Sequence, residues 1–183
     1  MGKNNNIYKI AYHGLAEGTH NFSYECDSEF FSRLSGGMYE RGDCHVDIEL
    51  HKGANLVTLN IEINGDLECE CDRCLDMFMV NIEYSGSLFV KFSQEVGNPT
   101  FDSEADAECD ILWMNPADSH IDLEQYIYES VVLSLPNRRV HPNDENGNSL
   151  CDKDMLARFT PVTESDEDES YSDDMEYDEE DGY

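Results

Sequence analysis

Two alternating hydrophobic runs flank a group of cysteines and place the strongest constraint on the fold. Residues 57–71 carry an aliphatic side chain or cysteine at most alternate positions, and residues 78–92 show the same alternation. A period of two is typical of β-strands that bury one face. The simplest arrangement is an antiparallel ribbon with Cys71 and Cys74 at its end. An Asn-Gly step at residues 64–65 fits a hairpin turn or a bulge.

The order of elements along the chain predicts an α+β fold, built mostly from an antiparallel β-sheet with one principal helix. That helix is predicted over residues 121–135, because aliphatic residues recur on one face and Pro136 stops it. Asp122 is a suitable N-cap for this helix. Asp27 is a second N-cap residue type and favours a short helix after it.

Acidic residues dominate the composition. The chain of 183 residues has 41 acidic and 11 basic residues, for a net charge of −30. Residues 161–183 hold 12 of the acidic residues and no basic residue, so we expect a disordered acidic tail there. Residues 1–160, predicted to form the folded domain, still carry a net charge of −18. Such a surface repels nucleic-acid phosphates and attracts basic proteins.

The expected location is the cytoplasm. No apolar run approaches the roughly 18 residues that a membrane helix needs. Residues 1–6 are polar with one lysine and no apolar segment follows them, so we expect no secretory signal. In a reducing compartment the seven cysteines are expected to be thiols or metal ligands rather than disulfides.

The pair Cys71-x-x-Cys74 is half of a tetrahedral zinc site, since it places two thiolates on one tight turn. The later ligand types that can complete it are His141 and Cys151, on the loop after the principal helix. We therefore name these four residues as a candidate site for one structural zinc ion. A metal-free cluster and a redox pair are the alternatives. The remaining cysteines are expected to be small core residues: Cys26, Cys44, Cys69 and Cys109.

We find no catalytic motif in the sequence, and we predict that the protein is not an enzyme. A nucleophile elbow, a phosphate-binding loop and a dinucleotide-binding fingerprint are all missing. Carboxylates are too abundant for any pair of them to indicate acid–base catalysis. Arg138 and Arg139 form a local basic pair. They either complement the dipole at the helix C-terminus or form a contact with RNA or a partner protein.

Two sequence blocks resemble the bacterial YceD-like family. The segment Cys-Asp-Arg-Cys-Leu at residues 71–75 is similar to the Cys-x-Arg-Cys core of that family. Residues 121–141 resemble its second block, in which an acidic-capped helix runs into Leu-Pro and then a segment with His or Cys. The resemblance covers roughly residues 55–151. Some members have a second Cys-x-x-Cys late in the chain, where this sequence has His141 and Cys151.

The resemblance implies a non-enzymatic factor for the accumulation of large-subunit (23S) ribosomal RNA. Family members are often encoded beside a small, basic ribosomal protein of the large subunit. Together with the acidic charge, this predicts a basic large-subunit ribosomal protein or a pre-ribosomal particle as the partner. Direct contact with rRNA, if made, is expected at Arg138 and Arg139. Two other functions stay open: a zinc- or thiol-dependent redox or metal-binding protein that uses Cys71 and Cys74, and an acidic mimic of nucleic acid.

Overall fold

The structure is a computed structural model, and it describes residues 7–54, 56–93 and 110–159. Within these residues the strands are β1 Lys9–Ile10, β2 Gly18–Cys26, β3 Gly42–Lys52, β4 Val57–Glu70, β5 Met77–Phe92, β6 Asp110–Met114 and β7 Ile121–Asp122. The α-helices are α1 Ser28–Ser35, α2 Glu124–Leu133 and α3 Lys153–Phe159, and Tyr12–Gly14 forms a 3₁₀ turn. The predicted class, a sheet-rich α+β fold, is confirmed.

One twisted sheet organises the molecule. Its strand order is β2-β3-β4-β5-β6, and every neighbouring pair is antiparallel except β5 and β6, which run parallel. The strands β1 and β7 form a separate two-stranded ribbon. Because β6 is a parallel neighbour of β5, the two strands cannot be joined by a short hairpin.

The predicted ribbon is the pair β4–β5, the longest in the sheet. Its register runs without a break from Val57 opposite Val90 to Glu70 opposite Met77. Both sequence interpretations of the Asn-Gly step were wrong, because Gly65 lies within β4 and pairs with Cys44 on one side. A Cβ at Gly65 would lie 2.2 Å from the carbonyl oxygen of Asp43, so the close approach of β3 requires glycine here.

The principal helix begins later than predicted. Ile121–Asp122 form β7 opposite Lys9–Ile10, and α2 starts at Glu124. The Asp122 carboxylate accepts a hydrogen bond from the Glu124 N–H at 3.1 Å and forms an ion pair with Lys9 at 3.1 Å. The N-cap of α2 is therefore Leu123 and not the predicted Asp122, although the Asp122 carboxylate still bonds to the first helical N–H. Strand pairing with a segment more than 100 residues away sets the helix start.

The prediction of one principal helix was wrong, because α1 is almost as long as α2. The helix α1 has eight residues and α2 has ten. The Asp27 carboxylate accepts a hydrogen bond from the Phe30 N–H at 3.0 Å, which is the expected N-cap geometry. At the other end, Gly36 adopts a left-handed conformation with φ of 65°, the usual C-terminal stop.

The core lies on one face of the sheet. Alternate residues of β3, β4 and β5, such as Ile61, are buried there against α1, α2 and the β1–β7 ribbon. Phe31 of α1 and Ile127 of α2 are fully buried helix residues that pack on this face. The other face carries the intervening, mostly exposed polar residues. The predicted tail at 161–183 lies outside the described residues, so the division at residue 160 stays a prediction. In the described part, no helix is long and apolar enough to cross a membrane.

The close approach at Gly65 gives a stability prediction. We expect Gly65→Ala to lower the free energy of unfolding by roughly 1–3 kcal/mol, because the methyl group overlaps the β3 backbone and forces the strands apart. Gly14→Ala is the control, since a Cβ there meets nothing within 4 Å. Urea unfolding followed by circular dichroism measures both. Equal stability of the two variants would contradict the packing described for β3 and β4.

Candidate metal centre

The tight turn between β4 and β5 presents the first two candidate ligands. The Cys71 N–H donates to the Asp76 carbonyl at 2.9 Å, and the Leu75 N–H donates to the Cys71 carbonyl at 3.0 Å. Leu75 has a φ of 64°, a left-handed conformation that is costly for a branched side chain. These bonds close the turn and leave both Cys71 and Cys74 buried.

A second ordered loop presents Cys151. The Asp144 carboxylate accepts hydrogen bonds from the N–H groups of Asn146 and Asn148, at 2.9 and 2.7 Å. Because these bonds fold the loop onto itself, Asn143 and Ser149 form a β-bridge across its base. The chain then enters α3 directly after Cys151, which is 4% exposed.

Asp72 fastens the two segments together. The backbone N–H of Asp72 donates to the Arg139 carbonyl at 2.7 Å, and the Arg139 N–H donates to the Asp72 carboxylate at 2.7 Å. The Arg139 guanidinium adds an ion pair with the same carboxylate at 3.2 Å. Sequence reasoning missed this link. A residue between two cysteine ligands gave no signal that it would pair with an arginine 67 residues later.

The four predicted ligand residues meet at one place. One donor atom from each of Cys71, Cys74, His141 and Cys151 lies within 4.8 Å of the others. The Sγ atoms of Cys71 and Cys151 are 3.8 Å apart, and the Cys74 Sγ lies 3.4 Å from the His141 Nδ1.

The Cys71–Cys151 and Cys74–His141 separations fit a tetrahedral zinc ion. Zinc–sulfur bonds of about 2.3 Å and a zinc–nitrogen bond of about 2.0–2.1 Å put two sulfurs about 3.8 Å apart and a sulfur and a nitrogen about 3.6 Å apart. A disulfide would need about 2.05 Å between sulfurs, and all the described cysteines are free thiols. The donor set of three thiols and one imidazole can therefore hold a metal ion.

Backbone N–H groups favour a thiolate at Cys71. Burial opposes its ionisation, but the N–H groups of Cys74, Arg73 and His141 are directed at the sulfur, and together they lower the pKa of Cys71 to about 6. Burial raises the pKa of Cys74, and the neighbouring sulfurs of Cys71 and Cys151 raise it further. Several thiolates this close repel one another unless a cation lies between them.

Apolar side chains surround the ligands and form a small core separate from the main one. Those packed against the cysteines are Phe78, Val140, Met155 and Leu156. The His141 ring lies 4.5 Å, centroid to centroid, from the ring of Phe78, which fixes its orientation. A dry shell of this kind limits solvent access to a bound metal.

The other predicted contact residues differ in their surroundings. Arg138 is exposed, and none of the described carboxylates pairs with it. Arg139 is occupied by Asp72. The cysteines assigned to the core fit that prediction where the structure describes them, since Cys26, Cys44 and Cys69 are buried in the main core. Cys109 lies outside the described residues.

The Asp72 link can be tested without touching a ligand. We expect Asp72→Ala to lower the free energy of unfolding by about 1 kcal/mol, since both partners are about one third exposed and the ion pair is screened. Asp76→Ala is the control, because it removes an exposed carboxylate of the same turn that makes no side-chain hydrogen bond among the described residues. A loss as large in Asp76→Ala as in Asp72→Ala, measured by urea unfolding, would argue against the link.

Comparison with known proteins gives one match. No curated protein and no solved structure matches the chain. A family model described as large ribosomal RNA subunit accumulation protein YceD matches residues 59–181, which is 123 of the 183 residues. The match includes β4 from residue 59 onward, all of β5 and all four candidate metal ligands. With the two sequence blocks and the geometry of the cysteine turn, it shows that the chain belongs to the YceD family.

Proposed function

We propose that this protein supports the accumulation of large-subunit ribosomal RNA as a non-enzymatic assembly factor. The observation that carries the proposal is the family match over residues 59–181. In this proposal the protein acts by binding a basic large-subunit ribosomal protein or a pre-ribosomal particle in the cytoplasm.

The net negative charge of the chain favours binding to a basic protein over direct binding to RNA. The chain has a net charge of −30, so each phosphate that it approached would be repelled. The same charge attracts a lysine- and arginine-rich protein and speeds its association. The exposed Arg138 is the candidate exception. A direct RNA contact, if made, is confined to Arg138 and its neighbours, and it positions the particle rather than supplying most of the affinity.

We also propose that Cys71, Cys74, His141 and Cys151 hold one structural zinc ion. Four protein ligands complete a tetrahedral shell and leave no open position for a substrate, which is typical of structural zinc sites. Such an ion would fasten the β4–β5 turn to residues that lie 67 and 80 positions later in the chain. Its role is to order the segment that follows α2.

A redox function at Cys71 and Cys74 is the second candidate, and the lowered pKa of Cys71 favours it. The two candidates differ in what they require of Cys151. A Cys71–Cys74 redox pair keeps its disulfide chemistry in a Cys151→Ser variant, whereas a four-ligand metal centre is damaged. Reversible disulfide formation in that variant, with a functional protein, would support the redox function.

Complementation tests the proposed function. In a strain of the source organism that lacks this protein, we expect the ratio of large- to small-subunit rRNA to fall. The wild-type gene restores the ratio and Cys74→Ser does not, because it removes a metal ligand. Cys69→Ala is the control, since it removes a buried cysteine two residues from Cys71 that lies in the main core. An unchanged rRNA ratio in the deletion strain would exclude the function.

An electrophoretic shift assay with purified 23S rRNA tests the direct contact. We expect weak binding that disappears as salt rises, and a further loss in Arg138→Gln. Lys9→Gln is the control. This lysine lies in β1, far from Arg138 in the sequence, and it is already paired with Asp122. Tight, salt-resistant binding by the purified protein would overturn the preference for a protein partner.

A further inference from the structure

The face of the sheet that is not covered by the helices is dense in carboxylates. We call it the open face, and we define it by the outward residues of β2–β5. Nine acidic residues lie on it: Glu25, Asp43, Asp47, Glu49, Glu62, Asp66, Glu68, Glu70 and Glu83. The basic residues on this face are Lys91, whose ammonium group lies over the Trp113 ring at 5.8 Å, and His45 and His51, whose rings bind neighbouring carboxylates.

Some of these carboxylates are held in unfavourable positions. Asp43 lies directly opposite Asp66 on the neighbouring strand. Asp47 lies directly opposite Glu62, but it also accepts a hydrogen bond from the Ser23 hydroxyl and pairs with His45. Like charges in directly opposed positions destabilise a sheet. Five of the nine have no cationic partner among the described residues: Asp43, Glu62, Asp66, Glu70 and Glu83. The sheet therefore keeps a repulsion that a bound cationic group would relieve.

The two long segments outside the described residues have the wrong charge to pair with this face. Residues 94–109 contain five acidic and no basic residues, and residues 161–183 contain 12 acidic and no basic residues. Within the described residues, the covering elements α1, α2 and the β1–β7 ribbon all contribute to the core on the opposite face. Residues 1–6 carry one lysine, which is too little charge to pair with five carboxylates. A cationic group that matches these carboxylates must therefore come from another molecule.

The shape and the apolar residues of the face favour a polypeptide. The twist of the sheet forms a shallow concavity of about 680 Å³, lined in part by Asn21, Asp47 and Glu62. At the end nearest the cysteine turn, Met77 and Met79 are each 49% exposed and lie opposite Glu70 and Glu68. Methionines next to carboxylates suit a chain that carries both aliphatic stems and positive charges.

We propose that the open face is the docking surface for a lysine- and arginine-rich segment of the protein partner, an inference that rests on the proposed function. Its carboxylates pair with the basic side chains, and Met77 and Met79 contact the aliphatic parts of the same segment. RNA is excluded from this surface by the repulsion between carboxylates and phosphates.

The test uses two full-length variants with equal changes in charge. The open-face variant neutralises four carboxylates that have no cationic partner: Asp43→Asn, Glu62→Gln, Asp66→Asn and Glu83→Gln. The control variant neutralises four exposed carboxylates elsewhere: Glu17→Gln, Glu40→Gln, Asp76→Asn and Glu145→Gln. The probe is the protein mixture extracted from large ribosomal subunits and freed of RNA by nuclease. Immobilised protein captures the components, and one captured component is then titrated against each variant.

We expect the wild type and the control variant to capture the same basic protein, and the open-face variant to bind it roughly tenfold more weakly. We also expect the open-face variant to unfold at a higher urea concentration than the wild type, because the opposed like-charge pair Asp43–Asp66 is relieved. Weaker binding is then not a consequence of unfolding.

Equal binding by both variants would show that the surface is wrong while the proposed partner class stands. Equal weakening in both variants would likewise overturn a defined surface. Capture of no ribosomal protein by the wild type would reject the proposed partner itself.

Discussion

The meeting of the β4–β5 turn with the segment after α2 is the interaction on which the C-terminal part of the described structure depends. Residues 134–159 add no strand to either sheet, and they contact the rest of the described structure through Leu135, through the cysteine cluster and through Arg139, which pairs with Asp72. The small apolar shell and one partly exposed ion pair hold this segment weakly. The proposed structural zinc ion would add about 10–16 kcal/mol of apparent binding free energy to the same contact.

The same arrangement separates the chemistry of the molecule into two regions. The cysteine turn gathers thiols, an imidazole and nearby arginines, whereas the sheet carries nine carboxylates on its open face. A rigid antiparallel sheet holds charges at fixed spacings, so its backbone loses little conformational entropy when a partner binds. This division supports the proposal of an assembly factor that binds a basic protein on the open face. The proposed metal centre would then stabilise the fold and take no part in binding.

Local patterns in the sequence predicted the parts of the fold that depend on local physics. The alternation in β4 and β5 located both strands, and Asp27 located the start of α1. The prediction failed where partners lie far apart in sequence. Strand pairing of Ile121 with Ile10 shortened α2, and the approach of Asp43 to Gly65 turned an apparent turn signal into a straight strand. The candidate ligands were found because cysteine and histidine are few and chemically specific. Asp72 was missed because one aspartate among 41 acidic residues carries no signal.

The central claim is that four residues from two distant segments form one structural zinc centre. Zinc X-ray absorption spectroscopy on the purified protein, with the metal content measured in the same sample, tests it most directly. The account predicts about one zinc per chain, with three sulfur atoms at about 2.3 Å and one nitrogen at about 2.0–2.1 Å. A protein that folds without zinc, or a zinc shell made of oxygen and nitrogen alone, would contradict it.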